Sequence, residues 1–382
     1  MTGPTHKSGL SLLFMITYKS PLTIRGDSLY CPLAFGLDSY WQCPYNCLYC
    51  YCRALNHTWG NEQRCADPAA VLEQLERGQA NPTPRSPLAW AIHNKNTIRF
   101  GNKSDPFPPE EAELGVTRNI LAGLQRLNWS IKLETKTIDF LKPDYLPLLD
   151  PDRVIITCTV TCGLNRDRKA FEPIDLPTPE ARLRALADAQ QLGFQVGVIS
   201  EPFLPGWHTL EDWDQLLMAL QDHQIKRVNV YHAHLNAFVL KRLNELPEID
   251  IEKIYSLNQD VKWKPILHEI IKRTELAGIT LGCPDWVNSG SFKHDCNTCC
   301  GVNVPVPTRF NFINWKEFGL VWGNIDWEMA QGFWDGVGNL VAGQHAFDGT
   351  SSEFYGFRDI GWSITERGWQ PGMSEKKKHG FF

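Results

Sequence analysis

No apolar run in this 382-residue chain approaches the ~20 residues that a membrane-crossing helix needs. The stretch LSLLFMITY at 10–18 is too short for one. It also lacks the basic start and small-residue cleavage site of a secretory signal, so it reads as an opening strand. A surplus of positive charge is missing as well: 38 Lys and Arg face 43 Asp and Glu, a formal net charge of −5. That removes any global attraction for nucleic acid, and such binding would need a local patch. Cysteine is not scarce. Twelve cysteines without a secretory signal imply a reducing, cytoplasmic setting, where clustered thiols serve metals more often than disulfides. The composition is otherwise that of a chain able to bury a full core, with 43% hydrophobic and 21% charged residues. The length admits one large α/β domain with an appendage, or two to three domains.

Most of the cysteines fall in two groups. The first contains CPYNCLYC at 43–50, which sets Cys43, Cys47 and Cys50 in a C-x3-C-x2-C spacing. A structural zinc site closes its tetrahedron with four protein ligands, and an ordinary [4Fe–4S] cluster also takes four cysteines. Three thiolates at this spacing suggest a cluster with one iron left open for a substrate or cofactor. Cys52 stands too close to Cys50 to join easily; zinc is the other reading. The spacing, with Tyr45, Tyr49 and Tyr51 around it, resembles the signature of the radical SAM superfamily. That resemblance implies a [4Fe–4S] cluster on Cys43, Cys47 and Cys50. It also implies S-adenosylmethionine (SAM) on the open iron and a one-electron donor such as flavodoxin or ferredoxin.

Downstream, strand-like runs lie at 97–101, 130–135, 153–161, 195–200 and 226–231. Helical patterns fill 109–127, 178–192 and 209–222, the second opening on a Thr cap and Pro and stopping at Gly193. With a first strand leading into the cysteine loop this makes six βα units. They fit the partial (β/α)6 TIM-like barrel of radical SAM enzymes, although an ordinary doubly wound sheet has the same alternation. Residues two apart share a strand face. In 153–161 one face carries Val154, Ile156, Cys158 and Val160, the other Ile155, Thr157, Thr159 and Thr161. Fully covered parallel strands are usually apolar throughout, so polar faces suit a lumen that holds a polar cofactor and substrate. The expected organisation is an N-terminal extension at 1–25, the barrel at 26–274 and a small Cys- and Trp-rich domain at 275–382.

Four further stretches resemble the spore photoproduct lyase branch. They are GNKSDPFPPEE (101–111), LETKTIDFL (133–141), FEPIDLPTPEARLRAL (171–186) and EPFLPGW (201–207). The first departs from the Gly-Gly-Glu stretch of many superfamily members. The resemblance implies that Ser104, Lys136 and Thr159 contact SAM, Lys136 through its carboxylate, and that Asp105 shapes the cofactor loop. True spore photoproduct lyases place a hydrogen-donating cysteine just before the serine. Here that stretch is Phe100, Gly101, Asn102 and Lys103, without a thiol. Cys158 and Tyr231 are then the candidate catalytic residues, with Cys162 and Cys52 as further donors, unless no external donor is needed. An isomerase fits the latter. The expected function is therefore radical rearrangement of a thymine-type base, or its substituent, in DNA or a nucleotide, as in phage-type base hypermodification. The alternatives are a lesion-repair lyase, a radical enzyme on a non-nucleic-acid substrate, and a non-catalytic, metal-stapled nucleic-acid-binding module.

The second group comprises Cys283, Cys296, Cys299 and Cys300, with His294 as a substitute ligand. Structural zinc, an auxiliary iron–sulfur cluster and free thiols are all open. Around it lie Trp315, Trp322, Trp327, Trp334, Trp362 and Trp369, a helical pattern at 327–343 and a basic tail at 375–380. These read as core packing, or as surfaces that stack on exposed bases. If zinc is held there, Cys296→Ser should lose about one zinc per chain and make the C-terminal segment protease-sensitive, with iron unchanged. An auxiliary cluster would instead show as lowered iron, and elemental analysis of both proteins separates the two.

Overall fold

The computed structural model describes residues 16–17, 21–24, 33, 35–52, 64–82, 87–282, 362–365 and 368–371. The chain forms strands β1 (Ile16–Thr17), β2 (Leu22–Ile24), β3 (Phe35–Leu37), β4 (Arg64–Cys65), β5 (Ile98–Phe100), β6 (Ile131–Thr135), β7 (Val154–Thr159), β8 (Gln195–Phe203), β9 (Arg227–His232) and β10 (Thr280–Leu281), of which β6 to β9 are rich in β-branched residues. One eight-stranded sheet runs in the order β10-β9-β8-β7-β6-β5-β3-β2. Its neighbours pair in parallel from β3 to β10, and β2 alone pairs antiparallel, against β3. The opening strand expected at 10–18 is β1, which lies outside this sheet and pairs with β4.

Parallel neighbours need crossovers, and helices supply most of them. Helices Pro68–Ala80 and Pro87–His93 precede β5, and Val116–Arg126 precedes β6. Leu164–Phe171 and Pro179–Gln191 lead into β8, Leu210–Asp222 into β9, and Ala237–Leu243, Ile251–Leu257 and Asp260–Leu276 into β10. Two details differ from the sequence reading. The helix expected over 109–127 is two, Glu111–Leu114 and Val116–Arg126, because Gly115 takes a left-handed φ of 60°. The β6–β7 crossover carries only 3-10 turns at Asp139–Leu141 and Leu146–Leu148. Pro143, Pro147 and Pro151 recur there every four residues and deny an α-helix its amide ladder.

The two sheet faces differ in chemistry. Ile98, Phe100, Ile131, Leu133, Val154, Ile156, Val196, Val198, Val228 and Val230 pack with the helices in the main core. The alternate residues Arg99, Lys132, Glu134, Thr157 and Asn229 are buried on the inner face. Arg99 Nε lies 2.7 Å from Glu134 Oε1, and Lys132 bonds the same carboxylate. The inner face is therefore polar and charged, as the alternation predicts for a lumen. Near the C-terminus, Trp362–Thr365 pairs antiparallel with Gly368–Pro371. The second cysteine group and the helical pattern at 327–343 lie outside the described residues. Among the described residues, no helix is long and apolar enough to cross a membrane.

Candidate metal centre and cofactor site

The cysteine loop leaves β3 and sits over the C-terminal ends of β5 to β9. Protein groups from four directions fix it. The Tyr45 hydroxyl donates to the Phe107 carbonyl at 2.7 Å. The Leu48 amide donates to the Phe171 carbonyl at 2.9 Å, and the Tyr49 ring packs edge-on against Phe171 at 6.0 Å. The Tyr49 hydroxyl donates to Glu172, whose carboxylate also takes Arg182 Nη2 at 2.6 Å. Arg182 Nη1 donates to the Thr159 carbonyl at 2.9 Å. Finally, Tyr51 stacks on His234 with ring centroids 4.5 Å apart.

Cys47 is buried, and Cys43 and Cys50 are half-buried. Burial pushes the Cys47 thiol up to about 12, against the pull of the nearby Lys136 cation. Burial also raises Cys43, and the Asp105 backbone amide that hydrogen-bonds it partly offsets this. Buried thiols of this kind ionise when a metal replaces the proton. Among the described residues, no three Cys, His, Asp or Glu side chains converge tightly enough to hold one metal ion. A four-iron cluster does not require that, since each thiolate binds a different iron and the sulfurs stand farther apart.

A second observation bears on the cofactor. Ser104 is 3% exposed, and among the described residues its hydroxyl has no hydrogen-bond partner. An uncompensated buried hydroxyl costs ~1–3 kcal/mol, which points to a polar ligand. Ser104 is held by Asp38, whose carboxylate accepts the amides of Lys103 at 2.7 Å and Ser104 at 3.2 Å. Lys136 follows β6, with its ammonium 5.5 Å from the centre of the Tyr49 ring. Thr159 ends β7, half-buried. The residues present thus fit a three-cysteine cluster with SAM beside it.

Asp105 plays a different part. Its carboxylate accepts the Thr135 hydroxyl at 2.9 Å, the Lys136 amide at 2.7 Å and the Phe107 amide at 3.0 Å. Burial raises its pKa, and these bonds counter the rise. With three protein donors, it shapes the loop that presents Ser104 and Lys136.

The two candidate catalytic residues lie on opposite faces. Cys158 is fully buried in the helix-packed core, and its thiol donates to the Thr137 carbonyl at 3.8 Å. Burial pushes it up to about 12, so it behaves as a small apolar core residue. Tyr231 is half-buried on β9, and its hydroxyl accepts from Asn229 Nδ2 at 3.4 Å, on the inner face. Cys162 is buried in the main core as well, and Cys52 is buried beside the cysteine loop.

The remaining motif residues turn out to be pins. Glu111, 3% exposed, accepts the amides of Thr117 and Arg118 at 2.9 Å each, as well as the hydroxyls of Tyr40 and Tyr145. A carboxylate at this helix start also complements the helix dipole. In the turn after β8, His208 Nδ1 accepts the Leu204 amide, so Nε2 carries the proton that it donates to Asp167 at 2.7 Å. Trp207 Nε1 bonds the same carboxylate at 2.8 Å. Burial alone would raise Asp167, but His208 and the hydrogen bonds from His208, Thr161 and Trp207 hold it below the usual carboxylate range.

No family model matches the chain. An uncharacterised protein of Mycobacterium tuberculosis (strain ATCC 25618 / H37Rv) is 24% identical over 223 residues, covering 57% of this chain. An uncharacterised protein of Mycobacterium bovis (strain ATCC BAA-935 / AF2122/97) gives the same values, and the match spans 64% of the length of either relative. A spore photoproduct lyase mutant with bound AdoMet and dinucleoside spore photoproduct superposes with a TM-score of 0.50 at 13% identity, covering 65% of this chain and 76% of that one. A second mutant of that lyase gives 0.51 at 12% identity, covering 69% and 80%. Identity this low speaks to architecture alone. The chain has the fold of spore photoproduct lyase, a partial TIM-like barrel of the radical SAM type.

Proposed function

We propose that this chain is a radical SAM enzyme that rearranges a thymine-type base, or a substituent on one, in DNA. The observation that carries the chemistry is the meeting of three features at one end of the barrel. These are the three clamped thiols, the buried Ser104 hydroxyl, unpartnered among the described residues, and the Lys136 ammonium. A [4Fe–4S] cluster with SAM bound to it supplies a 5′-deoxyadenosyl radical when an electron arrives from a flavodoxin- or ferredoxin-type donor. Cys43, Cys47 and Cys50 would hold the cluster. Lys136 would pair with the SAM carboxylate, Ser104 would hydrogen-bond the cofactor, and Thr159 would line its inner side. The polar inner face beneath, with Asn229 and Tyr231, would orient the substrate.

The substrate class rests on the order of the four motifs shared with the lyase branch. It also rests on the lack of a thiol between Phe100 and Lys103. A rearrangement returns the abstracted hydrogen to the product, so it needs no such donor. Reconstituted protein, SAM and dithionite should be incubated anaerobically with DNA from varied sources, and the digested nucleosides analysed by mass spectrometry. The expected product is a nucleoside of unchanged mass and altered retention. Conversion of a dithymine lesion to two thymidines would support repair instead. Abundant 5′-deoxyadenosine without any altered nucleoside would reject a nucleic-acid substrate.

The cofactor assignment has its own check. Lys136→Ala removes a cation from the expected carboxylate, and charge-assisted hydrogen bonds are worth ~1.5–3 kcal/mol. SAM affinity, measured by equilibrium dialysis, should fall about tenfold or more while iron content holds. Unchanged affinity would leave Lys136 with its Tyr49 contact only.

A further inference from the structure

The turn between the first two cysteines is held by a residue 195 positions beyond Cys47. Asn46, the residue just before Cys47, has a left-handed φ of 54°. Arg242 comes from the short helix Ala237–Leu243 beyond β9. Its Nη1 donates to the Cys47 carbonyl at 2.9 Å. Its Nη2 donates to the Asn46 carbonyl at 2.9 Å and to Asn46 Oδ1 at 2.7 Å. The guanidinium also lies over the Phe238 ring, 5.4 Å from its centre. A planar, rigid fork satisfies two successive carbonyls together in a fixed geometry, whereas a lysine ammonium has three donors but no such pre-organised fork. The two bonded carbonyls belong to a ligand and to the residue whose left-handed turn sets the ligand spacing.

From this geometry we infer that Arg242 is a positioning residue for the iron–sulfur site. It holds the Asn46 turn so that Cys43 and Cys47 stand at cluster-binding separation before iron arrives. The inference rests on the cluster reading above. Without the fork, the left-handed turn loses its support, because residues other than Gly, Asn and Asp rarely hold that conformation and even Asn visits it at some cost.

The test uses anaerobically reconstituted full-length protein. Iron release to a chelator is followed by absorbance, the reduced protein is examined by EPR, and thermal unfolding of the metal-free protein is measured separately. Arg242→Gln is expected to release iron about tenfold faster and to change the EPR line shape, with the metal-free thermal midpoint unchanged. Arg242→Lys keeps the charge and should still release iron several-fold faster than wild type. Asn46→Val leaves Arg242 intact but disfavours the left-handed turn, and it should show the same fast release. This variant decides the matter if Arg242→Gln does not fold. A wild-type release rate in Arg242→Gln or Asn46→Val overturns the inference. Full recovery in Arg242→Lys overturns the fork, and a metal-free midpoint lowered in step with the release rate makes the role merely structural. Failure of the wild type itself to take up iron would reject the cluster reading instead.

Discussion

Cys47→Ala protein is expected to form no 5′-deoxyadenosine from SAM and reductant. Its iron should fall from about four per chain toward background after anaerobic reconstitution. Cys47 is the most buried of the three thiols, and its alanine variant keeps the backbone carbonyl that Arg242 holds, so the change removes the ligand alone. Cys43→Ala and Cys50→Ala should behave alike, since a cubane with two protein ligands is poorly retained. Cys158→Ala provides the contrast. That thiol packs in the helix-covered core, so the variant should lose some stability and keep its iron. Iron by colorimetry and 5′-deoxyadenosine by chromatography read both outcomes. A triple variant lacking Cys43, Cys47 and Cys50 that still cleaved SAM would remove the basis for the radical assignment.

Much of this arrangement is local in the sequence, and that part was legible. The strand runs at 130–135, 153–161 and 226–231 became β6, β7 and β9 with shifts of one or two residues. The period-two reading of polar and apolar faces also held, because a strand enforces it wherever helices cover one side. The same pattern contained a signal that would have discounted Cys158. It shares its face with Val154, Ile156 and Val160, while Thr157 and Thr159 alternate with it. Motif residues were visible, but their roles depended on distant partners. Glu111 stands out as the last residue of a motif; that it binds Tyr40 and Tyr145 rests on contacts 71 and 34 residues away. Arg242 is 195 residues from Cys47 and sits in AFVLKRL, which reads as an ordinary amphipathic turn of helix. No local propensity encodes that contact. The helix break at Gly115 and the missing β6–β7 helix were local, and the spacing of Pro143, Pro147 and Pro151 signalled the latter.

Arg182→Ala is expected to be the most destabilising single change near the site. The Arg182 and Glu172 side chains are 1% and 2% exposed and form a direct ion pair at 2.6 Å. Removing one member of a buried pair typically costs about 3–5 kcal/mol, because the other charge stays buried without its counterion. That is a large share of the roughly 5–15 kcal/mol by which a folded chain exceeds its unfolded state. The damage also reaches function, since Glu172 takes the Tyr49 hydroxyl and Arg182 holds the Thr159 carbonyl. Iron retention should therefore fall along with stability. Glu172→Gln combined with Arg182→Met removes both charges and should be markedly milder than Arg182→Ala alone. The amide introduced by Glu172→Gln can still accept the Tyr49 hydroxyl, so the deficit of the double variant reports chiefly the lost Arg182 bond to the Thr159 carbonyl, without the stranded charge. Acid provides an independent readout. Burial alone would raise Glu172, but Arg182 and Lys136 and the bonds from Arg182 and Tyr49 hold its carboxyl below the usual range. Its contribution is then complete above the unfolded value near ~4.3 and is lost as pH falls through the lower folded value. In urea titrations of metal-free protein, the wild type should lose this increment below about pH 4 while the double variant does not. Equal acid sensitivity in the two proteins would show that the pair contributes no net stability and that the loop is held by its other contacts.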